Sequence, residues 1–366
     1  MRAKELLFIS ILMGLFVVLA EGAVRLAGLA PFLPGDPETP LYYHDDTIDW
    51  YRVRPGLKYN SVIADGLMFG YHTNEHGMRS ESHSYENPQQ KIRILALGDS
   101  FTYGIGAPYE STFLRILEKR LNRDQDRHEV IKSGFMRYSS EPEKRFLAHY
   151  GVRFKPQVVM VGFVPNDVLD AYADEQSRLQ VQDSHLITER PSFGSRIRMF
   201  FNEHAHLMRM AENAIPRLKA WIRNRPVVKR VPPVWAQIYQ DGGRFERYWQ
   251  KVENDYREMI RICRTIEAEF VILNIPQNPR WGSDQIPFQH AYAGDRMAAL
   301  ARREGVHFLD LLPKVRAEQA AGATLYHVLD GHFNSRGYHL AGEELHSFMS
   351  RQVLPKVTEN LKTAAR

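Results

Sequence analysis

Apolar positions along this chain follow three rhythms. Residues 6–20 are almost continuously apolar, broken only by Ser10 and Gly14. From 31 to about 90 the apolar residues scatter among Pro, Gly, Tyr and Asp with no helical period, which predicts loops and short strands. From residue 91 a regular alternation begins. Short, largely apolar runs at 92–97, 158–163, 270–273 and 306–309 read as strands, the first of buried type, and 128–131 reads as one more strand. Segments of helical spacing lie between and after them, at 113–121, 143–150, 245–268, 295–304 and 337–352. Strands alternating with helices of this length predict βαβ units, hence a parallel sheet covered by helices on both faces.

One segment interrupts the alternation. Residues 171–244 are rich in Arg and Lys, show helical spacing around 197–211 and 216–222, and close on Pro226, Pro232 and Pro233. This predicts a helical insertion whose basic faces are either solvated surface or a contact for anionic headgroups or an acidic glycan. The expected organisation is a membrane anchor or signal segment at 1–30, a loop-rich extension at 31–90, and an α/β catalytic domain at 91–355 that carries the insertion.

The first apolar run follows Arg2 and Lys4 and precedes Glu21 and Arg25. Each Leu, Ile, Phe or Val favours insertion by about 0.3–0.6 kcal/mol, and one acidic residue near the far interface does not offset such a run. Basic residues on the leading side predict an N-in orientation, with the bulk of the chain outside the cytoplasm, on the periplasmic side of an inner membrane. The segment is either a retained single-pass helix, since apolar positions continue through Ala23, Val24, Leu26 and Leu29 to Phe32, or a cleaved signal ending near Ala20.

Bulk composition adds exclusions. The 366 residues are 44% apolar and 25% charged, with net charge +5. That mild basic excess, with no Cys/His finger or basic-aromatic strip, argues against nucleic acid as a partner. The single cysteine, Cys263, excludes an internal disulfide framework and sits in a helical pattern as a buried thiol. No metal or organic cofactor is expected: His72 and His76 lie in the loop before the core and His204 and His206 in the insertion, with no H-x-x-x-H helix and no acidic cluster to suggest a metal.

The candidate chemistry lies at strand ends. Gly98-Asp99-Ser100-Phe101-Thr102-Tyr103-Gly104 follows the first buried strand and leads into a helix, where ligands of parallel sheets gather. Taken alone, this is a nucleophile turn or an ordinary helix cap. Near the far end, Asp330-Gly331-His332 precedes the terminal helix. A serine nucleophile needs a base, and the base an orienting group. Asp330 and His332 on one tight loop supply both types.

These segments together resemble the GDSL, or SGNH, hydrolase family, whose first block looks like Gly98-Asp99-Ser100 and whose last block looks like Asp330-Gly331-His332. The third block is similar to Gly162-Phe163-Val164-Pro165-Asn166-Asp167. The resemblance implies a flavodoxin-like three-layer α/β/α fold. It also implies Ser100 as nucleophile, His332 as general base and Asp330 as its orienter. Asn166 and the Ser100 N–H would then hold the oxyanion. Asn74-Glu75-His76-Gly77-Met78-Arg79 resembles a segment found ahead of the first block in membrane-anchored members associated with bacterial surface polysaccharides.

Two features depart from the family pattern. Arg137 stands where the second block usually has an oxyanion-hole glycine; its N–H can still donate, while its side chain narrows the site, binds an anion, or points away. Asp-x-His replaces the commoner Asp-x-x-His and resembles the subset that includes alginate O-acetylation proteins. The expected activity is therefore ester hydrolysis, with acetyl esters of a cell-surface glycan foremost. O-acyl transfer to a polysaccharide and non-catalytic glycan binding on a degenerate hydrolase fold are the alternatives. Trp281 and Tyr103 are candidate pocket walls.

Overall fold

A computed structural model describes residues 3–27, 41–63, 65, 67–176, 179–182, 185–188, 205–208, 236–240, 242–278 and 290–364. The apolar N-terminal run forms helix α1 (Ala3–Leu26). Its span Leu7–Leu26 is long and apolar enough to cross a membrane. Side chains such as Leu7, Phe8, Phe16 and Val18 are exposed all round it, apolar surface that water does not solvate well.

The extension forms two antiparallel hairpins, β1 (Tyr42–Asp45) with β2 (Trp50–Val53), and β3 (Lys58–Val62) with β4 (Met68–His72). Tyr51 and Val53 are buried in the same core as Phe135, Tyr138 and Phe146. The Tyr51 hydroxyl donates to the Met136 carbonyl at 2.7 Å, and that of Tyr138 donates to the Tyr51 carbonyl at 2.6 Å.

The alternating region builds a five-stranded parallel sheet from β5 (Ile92–Gly98), β6 (His128–Gly134), β7 (Val158–Phe163), and two strands beyond the insertion. Helices α2 (Ser100–Tyr103), α3 (Phe113–Leu121), α4 (Ser140–His149) and α5 (Asn166–Gln176) follow the first three strands. A hairpin of β8 (Leu179–Gln182) and β9 (His185–Thr188) comes next, within the segment expected to be helical. Strands of four residues are too short for their alternation to stand out in the sequence. The helical spacings read around 197–211 and 216–222 lie outside the described residues, apart from 205–208.

The chain then continues through α6 (Glu246–Thr265), β10 (Glu269–Asn274), α7 (His290–Glu304), β11 (His307–Asp310), α8 (Leu312–Ala320) and α9 (Ser335–Phe348). A π-helical turn, Met349–Val353, joins α9 to α10 (Leu354–Ala364), a helix the sequence reading did not separate.

Strand order is β11-β10-β7-β5-β6, with every pair parallel. Side chains alternate across the sheet. Leu95, Leu97, Val159 and Val161 face the core with residues of α4, α6 and α7, whereas Ile94, Ala96, Val158 and Met160 face α3 and α9. The chain starts at β5, steps to β6, then reverses to β7 on the other side of β5. The crevice at the carboxyl ends of β5 and β7 is thus the topological switch point, where open α/β sheets bind ligands.

Candidate active site

Three in-register glycines end the central strands: Gly98 pairs with Gly134 on one side and Gly162 on the other. A Cβ on Gly98 would lie 2.1 Å from the Thr102 hydroxyl, and φ there is +150°, so only glycine lets α2 sit this close to the sheet. Asp99 caps α2, its carboxylate accepting the Phe101 N–H at 2.9 Å. Ser100, the first residue of α2, is thereby held at the crevice mouth.

Residues far apart in sequence meet here. His332 Nε2 lies 2.7 Å from Ser100 Oγ, and His332 Nδ1 contacts the Asp330 carboxylate. Gly331, between Asp330 and His332, has φ +90°. That left-handed turn folds the two side chains onto one edge of the loop, which is how a one-residue spacing suffices. The loop is closed at its base by His327 N–H donating to the His332 carbonyl at 2.9 Å and by a Tyr326–Phe333 bridge. The Phe101 ring packs against the imidazole, with centroids 4.8 Å apart.

Asn166 begins α5 at the end of β7, beside this pair, but its amide is occupied. Nδ2 donates to Asp99 at 3.2 Å and to Asp170 at 2.9 Å, using both N–H groups. The amide can serve another acceptor only when one carboxylate gives it up. Burial pushes the Asp99 carboxyl above its ordinary range, partly countered by the Phe101 N–H and the Asn166 amide. Burial likewise pushes Asp170 up to about 7 and Asp174 to about 6. Behind them Glu143 and Asp167 are raised further, by burial first and then by repulsion from Asp99 and other carboxylates. Protonation relieves this crowding, and a less negative surround accommodates a developing negative charge better. The sequence offered no sign of this carboxylate group, because burial of α4 and α5 residues at one strand end is a tertiary property.

Arg137 follows β6 and has φ +60°, a left-handed conformation that a glycine adopts without strain. Its side chain is exposed, and its positive charge counters part of the rise that burial imposes on the Asp170 and Asp174 carboxyls. Tyr103 does not wall a pocket. It is 2% exposed, its hydroxyl 2.6 Å from that of Tyr59 and its ring stacked on Tyr71. Trp281 lies outside the described residues, as does His204. His76 bonds to the His83 carbonyl, and His72 packs edge-on against Tyr109.

Sequence reading missed two tethers from the extension. Arg79, 2% exposed, donates to the carbonyls of Gly104 and, at 2.8 Å, Ala107, in the loop after α2. Asp65 accepts backbone N–H groups from the loop that carries Asp330. A second serine–histidine–carboxylate array also exists: Ser80 Oγ lies 2.7 Å from His83 Nε2, and His83 Nδ1 lies 2.7 Å from Glu129. Ser80 and His83 are only 2% and 3% exposed, so this array ties the extension to β6 and presents no hydroxyl to a substrate.

Among known proteins, no curated sequence matches the chain. Similar solved structures include TesA, at 14% identity over 70% of this chain and 98% of that one, with TM-score 0.42. Another is the psychrotrophic esterase EstA from Pseudoalteromonas sp., at 12% identity, 71% and 98% coverage, and TM-score 0.42. The acetyl xylan esterase AlAXEase is similar at 13% identity, 70% and 98% coverage, and TM-score 0.42. The GDSL-like Lipase/Acylhydrolase family model matches residues 96–340, a stretch that begins in β5 and ends in α9 and so contains Ser100, Asn166, Asp330 and His332. The chain belongs to the GDSL-like lipase/acylhydrolase family and is a serine hydrolase acting on ester bonds.

Proposed function

We propose that the chain removes acyl groups, acetyl foremost, from a cell-surface glycan through a Ser100–His332–Asp330 triad. The contact of 2.7 Å between Ser100 Oγ and His332 Nε2, with Asp330 on the other ring nitrogen, carries this reading. In the reaction, His332 takes the Ser100 proton as Oγ attacks the ester carbonyl. Asp330 holds the ring and offsets the imidazolium charge. The tetrahedral oxyanion is held by the Ser100 N–H at the start of α2, the Arg137 N–H, and the Asn166 amide once it turns from Asp99 or Asp170. His332 then returns its proton to the leaving alcohol, and water, activated by the same imidazole, frees the acyl group.

The glycan part of the reading rests on the segment Asn74–Arg79 and on the Asp-x-His spacing, both of which resemble polysaccharide-associated members. That spacing also favours the second reading, in which a sugar hydroxyl replaces water as acceptor. Apolar α1 supports a single-pass anchor with the catalytic domain on the extracytoplasmic side.

The test is hydrolysis of an activated acetyl ester by Ser100→Ala and Asn166→Ala. Ser100→Ala loses turnover entirely, and Asn166→Ala loses about 10²–10³-fold, the typical cost of one oxyanion donor. Undiminished turnover in Ser100→Ala ends the proposal.

A further inference from the structure

We infer that Asp65, in the turn of the β3–β4 hairpin, is a positioning residue for the catalytic loop: its carboxylate holds the backbone that sets Asp330 against His332. This inference rests on the triad reading above. Oδ1 of Asp65 accepts the Val328 N–H at 3.0 Å, and Oδ2 accepts those of Leu329 and Asp330 at 2.9 and 2.8 Å. Three consecutive N–H groups that converge on one point form a concave patch of positive charge, which needs an anion to stay in that shape. Here the anion comes from the same chain, more than 260 residues earlier.

The place of this contact in the loop gives it consequence. The loop base is fixed by the His327–His332 backbone bond and the Tyr326–Phe333 bridge, while its tip, Val328 to Asp330, projects outward and Val328 is 43% exposed. Asp330 is the last of the three residues that Asp65 grips and the first of the Asp-Gly-His turn. Gly331, at φ +90°, passes little stiffness between Asp330 and His332. The direction of the Asp330 carboxylate is therefore set from upstream, where Asp65 binds. Phe69, in the same hairpin, packs edge-on against His327, with ring centroids 6.0 Å apart. Arg79 meanwhile holds the loop after the nucleophile helix. The hairpin region thus braces both halves of the triad.

Asp65→Ala in the full-length protein tests this by hydrogen exchange and by kinetics. Exchange at the amides of Val328, Leu329 and Asp330 speeds up while the β5–β7 amides stay protected. Turnover of an activated acetyl ester falls between about 10- and 10²-fold, the scale of a misplacement near 1 Å, with KM little changed. Added formate, a carboxylate that fits the emptied patch, restores part of the lost turnover in Asp65→Ala and leaves wild type unaffected. A merely structural contact would show no such rescue. If Asp65→Ala does not fold, Asp65→Asn, isosteric but uncharged, carries the exchange and turnover measurements. Unchanged exchange at 328–330 overturns the inference, as does wild-type turnover in a variant whose exchange has risen. Ser100→Ala is run beside it. If that variant keeps its activity, the triad reading has failed and exchange alone decides whether Asp65 holds the loop.

Discussion

Replacing Arg79 by Met keeps most of the side-chain stem and removes the guanidinium that joins the extension to the loop after α2. In the native structure it donates to the Gly104 and Ala107 carbonyls, reaches Tyr103 O at 3.3 Å, and lies 4.3 Å above the Tyr71 ring. A buried acceptor stranded without its donor costs about 1–3 kcal/mol, so two carbonyls cost about 2–6 kcal/mol. Against this, the mutation relieves burial of a charge whose Nε has no partner among the described residues. The net expectation is a loss of about 3 kcal/mol, which at roughly 2–4 °C per kcal/mol for a domain of this size lowers Tm by about 6–12 °C. Urea unfolding of the full-length protein in detergent, followed by tryptophan fluorescence, measures the loss. Turnover of an activated ester falls with it, because the loop next to Ser100 loses its brace. A stability loss below about 1 kcal/mol with unchanged turnover refutes the claim that the extension is part of the catalytic structure.

Arg137→Gly keeps the backbone N–H and suits φ +60°, so turnover on a neutral acetyl ester stays within about threefold of wild type while stability holds or rises by up to about 1 kcal/mol. A selective rise in KM for anionic esters would instead assign the side chain to substrate binding. Asp170 has its native pKa raised to about 7 from an ordinary 3.8. The folded state thus holds its proton more tightly than the unfolded one, and the associated stabilisation is complete below about 3.8 and lost as pH rises through about 7. Asp170→Asn, which cannot ionise, gains Tm relative to wild type as pH goes from about 5 to about 8. A difference that stays flat over that range contradicts the assignment.

The sheet was legible because parallel strands buried on both faces leave continuous apolar runs, such as 158–163 and 270–273, between helices. Ser100, Asn166 and Asp330-Gly331-His332 were legible because each sits at the end of a strand or the start of a helix in blocks that resemble a family. Their spatial meeting was an expectation that spacing alone does not establish. The occupied amide of Asn166 was invisible, since Asp99 lies 67 residues away and nothing in sequence shows which carboxylates will share one crevice. Asp65 was missed for the same reason: a turn residue that binds a loop more than 260 positions later leaves no periodic trace. The β8–β9 hairpin was missed because its strands have only four residues each, too short for their alternation to stand out from the helical spacing read further along the insertion.

The central claim is that one half-buried serine at the crevice mouth, Ser100, activated by His332, performs the chemistry. Treating the full-length protein with a fluorophosphonate and sequencing the modified peptide tests it most directly. The account predicts a single adduct on Ser100, absent in Ser100→Ala and formed far more slowly in His332→Ala. No adduct at all, or an adduct on Ser80 beside His83 and Glu129, would contradict it.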